Sequence, residues 1–198
     1  MSERQSILVG PDGRGRCGWV GDDDLYRRYH DEEWGNPLRG DQKLYEKISL
    51  EGFQAGLSWI TILRRREGLR AAFDNFEPTT VAAYSAQDVA RLLDDPRIIR
   101  NRLKVAAAIS NAQAVLALTA DAPGALDELL WSFAPPPRAT RLSSFDDVPA
   151  VTPESTAMSN ALKAHGFRFV GPTTMYALMQ SAGMVDDHIE GCWRSERT

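Results

Sequence analysis

An all-α fold is the class that this sequence predicts, and three observations lead to it. Apolar residues recur with helical periodicity along most of the chain. No run shows the sustained alternation of apolar and polar residues between hairpin turns that half-exposed strands would require. With 198 residues, of which 43% are hydrophobic, the chain is long enough to bury the core of one domain or of two small interlocked lobes.

The predicted helices have recognisable start and stop signals. Ser58 is placed to cap a helix that begins at Trp59, and Ser85 with Asp88 has the spacing of a capping box. Gly166 ends one helix and Pro172 opens the next, which predicts a helical hairpin. The predicted helices cover residues 41–51, 59–63, 85–93, 103–118, 125–133, 156–165 and 172–182, with a connector over 135–153.

The two ends of the chain are predicted to lie outside the folded domain, which spans residues 16–193. Residues 1–15 are polar, contain several glycines and lack the apolar run of a signal peptide, so we expect a disordered lead-in. Residues 194–198 are expected to form a tail. No stretch of about 18 apolar residues predicts a membrane span. We therefore expect a cytoplasmic protein, and a monomer.

The net charge of −4 argues against indiscriminate binding to polyanions, but it says little about local patches. The basic residues are clustered, and each cluster is either a solvated helix face or a contact with DNA. The sequence alone does not decide between these two. The clusters are Arg64, Arg65 and Arg66, and Arg97, Arg100, Arg102 and Lys104.

The two cysteines and two of the three histidines are spaced like metal ligands. His188 and Cys192 are four residues apart, which would place both on one face of a helix, and Cys17 and His30 form a second pair. Two thiolates and two imidazoles make the closed tetrahedral set of a structural zinc site. The alternatives are a disulfide, which an intracellular setting disfavours, or unrelated buried residues. A zinc deaminase would need a Pro-Cys-x-x-Cys motif, which the chain lacks.

Large aromatic residues crowd the segment that carries the first metal pair. Aromatic faces suit a flat heterocycle, and their electron-rich surfaces suit a cationic one. The alternative is that they pack the core beside the metal. These residues are Trp19, Tyr26, Tyr29 and Trp34.

Glu51 interrupts an apolar predicted helix, where a carboxylate is costly unless it has a partner or is exposed. Gly56 and Leu57 follow in the turn before Trp59. An exposed Leu57 could act as an apolar wedge between stacked bases. Glu51 and Trp59 could then face one another across the turn.

Taken together, these features resemble the 3-methyladenine DNA glycosylase I family of the helix-hairpin-helix glycosylases. The block from Leu50 to Trp59 and the paired metal ligands are the most specific of them. The resemblance extends from about Arg16 to Cys192, and it implies an all-α fold whose termini meet at a zinc site. The matching segments are residues 16–20, 29–31, 33–35, 50–52, 54–59, 131–133, 167–171, 187–188 and 191–192.

The resemblance implies excision of 3-methyladenine from double-stranded DNA by base flipping and hydrolysis, without strand cleavage. It implies that Glu51 hydrogen-bonds the extruded base and that Trp59 stacks on it. It further implies a hairpin, with Phe169 and Gly171, that grips the phosphate backbone, and an Asp187 that orients the zinc site. The remaining implied roles are a pocket lined by Trp19, Tyr26, Tyr29 and Trp34, a wedge at Gly56 and Leu57, and one structural zinc on Cys17, His30, His188 and Cys192.

Three positions depart from the pattern expected for the family, namely Phe53, Leu103 and Trp193. Phe53 is expected to alter the shape of the pocket, and Leu103 puts a DNA contact by the neighbouring basic run in doubt. The main alternative function is a zinc-stapled helical module that binds DNA or protein without chemistry. Such a module would not need Glu51 and Trp59 together with the tyrosines.

Overall fold

Residues 6–196, which the computed structural model describes, form nine α-helices and one two-stranded hairpin. The predicted mainly helical class is therefore confirmed. None of the described helices is long and apolar enough to cross a membrane. The elements are β1 (Ile7–Val9), β2 (Gly15–Cys17), α1 (Asp24–Glu32), α2 (Asp41–Gln54), α3 (Trp59–Ala72), α4 (Pro78–Ala82), α5 (Ala86–Asp94), α6 (Arg102–Thr119), α7 (Ala125–Trp131), α8 (Pro153–Ala164) and α9 (Pro172–Ser181).

Most helix boundaries agree with the start and stop signals of the sequence. The capping box of Ser85 and Asp88 is present, and Pro172 occupies the first turn of α9. Helix α3 begins after Ser58 as predicted, although the Ser58 hydroxyl bonds Thr61 Oγ1 at 2.8 Å instead of a backbone N–H. Helix α8 begins earlier than predicted, because Thr152 and Ser155 form a second capping box ahead of it.

Two helices, α1 and α4, are absent from the sequence prediction. Helix α1 begins after Asp23, whose carboxylate accepts a hydrogen bond of 3.0 Å from the backbone N–H of Tyr26. Its buried positions are occupied by Tyr29 and His30, with two arginines directly before them and two acids directly after them. Because the buried positions of this helix are few and lie among charged residues, its apolar periodicity is weak and the segment was not predicted as a helix.

The predicted disordered lead-in over residues 1–15 is wrong for the part that the structure describes. Strand β1 pairs antiparallel with β2, with Ile7 opposite Cys17. The strands have only three residues each, too few for their alternation to be recognised in the sequence. Arg16 secures the hairpin, since its guanidinium donates to Asp12 and to Asp31 of α1, each at 2.7 Å. Residues 1–5 lie outside the described residues.

The predicted tail over residues 194–198 is also partly ordered. Trp193–Glu196 forms a 3-10 turn, and the Arg194 guanidinium donates to Asn36 Oδ1. The Trp193 indole donates to Asp31 at 3.2 Å, and the Arg14 guanidinium lies 4.4 Å from its ring centroid. The large residue after Cys192 thus closes the N-terminal hairpin against the C-terminus. Residues 197–198 lie outside the described part of the chain.

Helix α2 occupies the centre of the fold and packs against α3, α6, α7 and α9. Nearly all of its residues from Leu44 to Phe53 are buried, including polar ones. Phe53 is 1% exposed and its ring centroid lies 5.7 Å from that of Phe73. The expectation that Phe53 alters the pocket is therefore wrong, because its side chain lies in the core.

One member of the second basic cluster has a structural role. Lys104 of α6 is 8% exposed, and its ammonium donates to the backbone oxygens of Phe53 and Ala55 at 2.8 and 2.7 Å. The last carbonyls of a helix lack partners within the helix, so Lys104 caps the end of α2. Arg100 and Arg102 are exposed and remain candidates for contact with DNA.

We expect the substitution Lys104→Met to lower the free energy of unfolding by about 2–4 kcal/mol, because the buried carbonyl of Phe53 and the part-buried carbonyl of Ala55 lose a charged donor. Arg102→Met removes the same charge from an exposed position of the same helix and should change it by less than about 0.5 kcal/mol. Urea unfolding midpoints at unchanged slope measure both effects. Equal midpoints for the two variants would show that the Lys104 contacts contribute nothing.

Candidate active site

A cavity of about 240 Å³ opens between α1, α2, α3 and α9. The structure brings together at this cavity all six residues that were predicted to bind a base. Gln54, Phe145, Ala177, Gln180 and Ser181 complete the wall and are absent from the sequence prediction, because nothing local in the sequence marks them. The predicted lining residues are Trp19, Tyr26, Tyr29, Trp34, Glu51 and Trp59.

The aromatic rings of the cavity pack edge to face. Trp19 meets the ring of Tyr26 at a centroid distance of 4.9 Å and that of Trp34 at 5.1 Å, with interplanar angles of 63° and 73°. Tyr29 and Trp59 are tilted against each other at 5.4 Å. Rings that hold one another in this way give rigid walls, which favour a planar aromatic guest.

Glu51 is a buried carboxylate in the wall of this cavity, with 3% of its surface exposed. It is therefore not the exposed residue of an amphipathic helix. The Ser181 hydroxyl of α9 donates to Glu51 Oε1 at 2.9 Å. Burial raises the pKa of Glu51 to about 7, against the opposing effects of the Lys47 charge and the Ser181 hydrogen bond. Glu51 can therefore change its charge near neutral pH.

Lys47 is a second buried ionisable group of α2, one turn before Glu51, and it is absent from the predicted site. Its ammonium lies 5.4 Å from the ring centroid of Tyr29 and 5.2 Å from that of Trp59. Burial lowers its pKa. The signal in the sequence was the spacing of four between a lysine and a glutamate in the same helix.

A further hollow of about 210 Å³ continues from the cavity towards the turn between α2 and α3. It shares Glu51 with the cavity, and it is also lined by Gly56 and Leu57. Leu57 is 40% exposed, and Gly56 has a φ of 79°, which favours glycine. The predicted wedge residues therefore lie at the mouth of the cavity.

The hairpin between α8 and α9 packs beside this mouth. Phe169 is 37% exposed and has a φ of 57°, which is uncommon for a residue with a side chain. A Cβ at Gly52 would lie 3.3 Å from Cβ of Phe169, so the glycine permits the approach of the hairpin to α2. Asn111 holds the hairpin by bonding both the N–H and the carbonyl of Arg168, at 2.8 and 3.0 Å. Gly171 precedes the first turn of α9.

Three of the four predicted zinc ligands also meet, at the junction of the two termini, and the ring of the fourth, His188, lies beside them. The ligand atoms of Cys17, His30 and Cys192 lie within 4.8 Å of one another. The ring centroid of His188 is 5.1 Å from that of His30. Its Nε2 is buried and has no hydrogen-bond partner among the described residues. Gly35 makes room for this ring, because a Cβ there would lie 2.7 Å from His188 Cε1.

The chemistry of the cluster fits a metal ion. Cys192 Sγ lies 3.4 Å from His30 Nε2, and hydrogen bonds from the Cys17 thiol and from His30 lower the pKa of Cys192. Two sulfurs and two imidazole nitrogens are the donors that zinc prefers. Asp31 bonds Nδ1 of His30 and Asp186 bonds Nδ1 of His188, each at 2.8 Å, which leaves Nε2 of His188 without a partner among the described residues and Nε2 of His30 beside Cys192 Sγ.

Two expectations about the C-terminal half of the cluster are wrong. His188 and Cys192 do not lie on a helix, because the chain from residue 184 to 192 is irregular and turns at Gly191, where φ is 84°. Asp187 does not orient a ligand of the cluster. Its carboxylate instead accepts from Tyr176 at 2.7 Å, from Gln180 at 2.8 Å and from Arg138.

Comparisons with known proteins agree on one family. Residues 19–195 match the family model described as methyladenine glycosylase. The chain is 48% identical over 178 residues to DNA-3-methyladenine glycosylase 1 of Escherichia coli strain K12, covering 89% of this chain and 95% of the relative. It is 46% identical to DNA-3-methyladenine glycosylase of Haemophilus influenzae, covering 89% and 96%.

Solved structures resemble the whole fold. A crystal structure of 3-methyladenine DNA glycosylase I has a TM-score of 0.86 at 49% identity, covering 90% of this chain and 98% of that one. A Staphylococcus aureus structure, described as the structural basis of 3-methyladenine recognition by its 3-methyladenine DNA glycosylase I, has a TM-score of 0.83 at 36% identity. It covers 88% of this chain and 93% of that one.

The raised pKa of Glu51 predicts a stability that depends on pH. Between the ordinary value of 4.5 and about 7 the folded protein holds a proton that the unfolded chain releases, so this contribution to stability is lost as the pH rises through that range. Relative to wild type, Glu51→Gln should therefore gain up to about 3 kcal/mol between pH 4 and pH 8. The measurement is urea unfolding at several pH values, with exposed Glu128→Gln as control. A difference from wild type that is the same at every pH would contradict the assignment.

Proposed function

Since the chain belongs to the methyladenine glycosylase family and is a hydrolase of N-glycosyl bonds, we propose that it flips 3-methyladenine out of alkylated double-stranded DNA and hydrolyses its glycosidic bond in the aromatic cavity. The observation that carries the proposal is the buried Glu51 carboxylate among the rings of that cavity. A module that only grips DNA would have no use for a buried acid in a pocket.

Charge is the basis of the proposed selectivity. Methylation at N3 leaves the purine of the nucleotide cationic, so its glycosidic bond is already weak and the base is a good leaving group. Glu51 accepts hydrogen bonds from this base, Trp59 stacks on it, and the other rings enclose it. The ionised carboxylate and the electron-rich faces attract the cationic base more strongly than neutral adenine. Little general-acid catalysis is then needed, and water attacks the sugar.

The surroundings of the cavity support extrusion of a nucleotide. Leu57 stands exposed at the mouth and would fill the gap that the extruded base leaves in the duplex. The hairpin with Phe169 and Gly171 lies beside it and would hold the phosphate backbone through backbone N–H groups at the start of α9.

We propose that the reaction ends with release of the base and leaves the strand intact. Strand cleavage through a Schiff base requires an amine that reaches the sugar. Lys47 is the lysine whose charge acts on Glu51, and it lines a separate cavity instead of the base cavity. A monomeric state and a cytoplasmic location remain predictions from the sequence.

One zinc ion, held by Cys17, His30, His188 and Cys192, is the proposed cofactor. The orphaned Nε2 of His188 and the convergence of the other three ligand atoms support it. With four protein ligands the ion would have no free position for water, so its role would be structural. It would join β2 and α1 to the C-terminal turn.

We expect the purified protein to release 3-methyladenine from methylated duplex DNA, and Glu51→Gln to lower the single-turnover rate by about 10²-fold or more, because one positioned polar contact to the reacting base is lost. Exposed Glu128→Gln serves as the control. Chromatography of the released bases measures the result. Release of 7-methylguanine without 3-methyladenine, or a Glu51→Gln rate equal to that of the control, would refute the proposed function.

Metal analysis should find about one zinc per chain, and Cys17→Ser and His188→Ala should each lose it together with several degrees of thermal stability. His165→Ala, which changes the exposed third histidine, should retain both. Wild-type protein that stays free of metal after refolding with zinc, or a Cys17–Cys192 disulfide under reducing conditions, would refute the zinc site.

A further inference from the structure

Lys47 places a buried positive charge next to the proposed base-recognition residue. Both Lys47 and Glu51 belong to α2, and a spacing of four residues puts their side chains on one face of the helix. Their exposed fractions are 8% and 3%. A charged pair that is removed from water interacts more strongly than one at the surface, because the solvent screens it less.

A second cavity, of about 390 Å³, lies on the Lys47 side of α2 and offers its ammonium a place for hydration inside the protein. Lys47 lines this cavity, and Ser181 lines both this cavity and the base cavity. Lys47 and Ser181 therefore belong to the wall between the base cavity and the second cavity. Water in the second cavity can reach Lys47, whereas Glu51 does not line that cavity.

The other acids near Lys47 are already paired with arginines. Glu33 accepts from Arg66 at 2.9 Å, and Glu46 accepts from Arg70 at 2.8 Å. Arg66 lowers the pKa of Lys47, whereas Glu51, Glu33 and Glu46 raise it, and Glu51 has the largest effect among these charges. Of these three acids, Glu51 therefore has the strongest electrostatic interaction with Lys47.

The groups that face Glu51 from the other helices carry no positive charge. Tyr26 and Tyr29 of α1 lie within electrostatic range of the carboxylate and are neutral at physiological pH, since burial raises the pKa of both phenols. Trp59 faces the cavity from α3, and Ser181 donates its hydroxyl from α9. Among the described residues around Glu51, Lys47 supplies the balancing cation.

On this geometry, and resting on the proposed function, we propose that Lys47 is a positioning residue that keeps the Glu51 carboxylate ionised and thereby sets the lower pH limit of base recognition. Without the Lys47 charge, burial would keep Glu51 in its neutral form up to a higher pH. Neutral Glu51 attracts a cationic purine little more than it attracts neutral adenine. Lys47 acts through Glu51 and does not touch the base.

The effect should differ between the free enzyme and the complex. In the free enzyme Lys47 is the cation beside Glu51, so its loss should move the acid limb of kcat/KM, which reports the free enzyme. In the complex the cationic base itself lies against Glu51 and stabilises the carboxylate. The acid limb of kcat should therefore move less.

The test is excision of 3-methyladenine from methylated duplex DNA between pH 5 and pH 9 by wild type, Lys47→Met, Lys43→Met and Glu51→Gln, corrected for spontaneous release. Lys43→Met removes the same charge from an exposed position one turn earlier in α2. We expect Lys47→Met to move the acid limb of kcat/KM upwards by about one pH unit, a loss of roughly tenfold below the limb. Lys43→Met should leave the limb in place.

Each outcome bears on one proposal. Coincident kcat/KM profiles of Lys47→Met and Lys43→Met would overturn the role of Lys47. Persistence of the acid limb in Glu51→Gln would instead refute the role of Glu51 in the proposed function. Removal of one partner of a buried charged pair destabilises a fold, because the remaining charge loses its counter-charge. Should Lys47→Met fold poorly, ¹³C NMR titration of the Glu51 carboxyl in Lys47→Gln decides the matter, and a pKa equal to that of wild type overturns the proposal.

Discussion

Burial of one carboxylate at the centre of the molecule is the constraint on which the rest of the site depends. Glu51 is carried by α2, which other helices enclose on nearly every side. A buried charge needs polar partners or a counter-charge. The fold provides the Ser181 hydroxyl from α9 and the Lys47 ammonium from α2 itself. The cavity thus holds an ionisable carboxylate inside the protein, at a position that a bound base can reach.

A second constraint is the junction of the chain ends. The cluster of Cys17, His30 and Cys192 lies directly beside the aromatic wall, and the ring centroid of Trp34 is 4.6 Å from that of His188. The segment that supplies the aromatic residues is short and rich in acids, and its buried rings, Trp34 among them, pack against the C-terminal turn. Its position is determined by the C-terminal turn against which it packs. This explains why residues so far apart in sequence contribute to one site.

The sequence predicted the helical class, most helix boundaries and six of the residues that line the cavity, because these depend on local patterns and on a specific resemblance. The course of the chain at His188 and Cys192 could not be predicted in this way. A spacing of four residues is shared by helices and by glycine turns that fold around a cluster. The contributions of Ser181, Lys104 and Asp186 were also missed, since each depends on a contact with a distant part of the chain or with the cluster itself.

The capped end of α2 has a consequence for how the protein would meet DNA. Lys104 holds the carbonyls of Phe53 and Ala55, and the Leu57 N–H donates to the Gln54 carbonyl at 2.6 Å. The turn that carries the apolar side chain is therefore preorganised before any encounter. Under the proposed extrusion of a nucleotide, a rigid protrusion would lose little conformational entropy on insertion, so the work of distortion would fall almost entirely on the double helix. Base pairs that are already weakly stacked would open first, and a search along the duplex would stop preferentially at such sites.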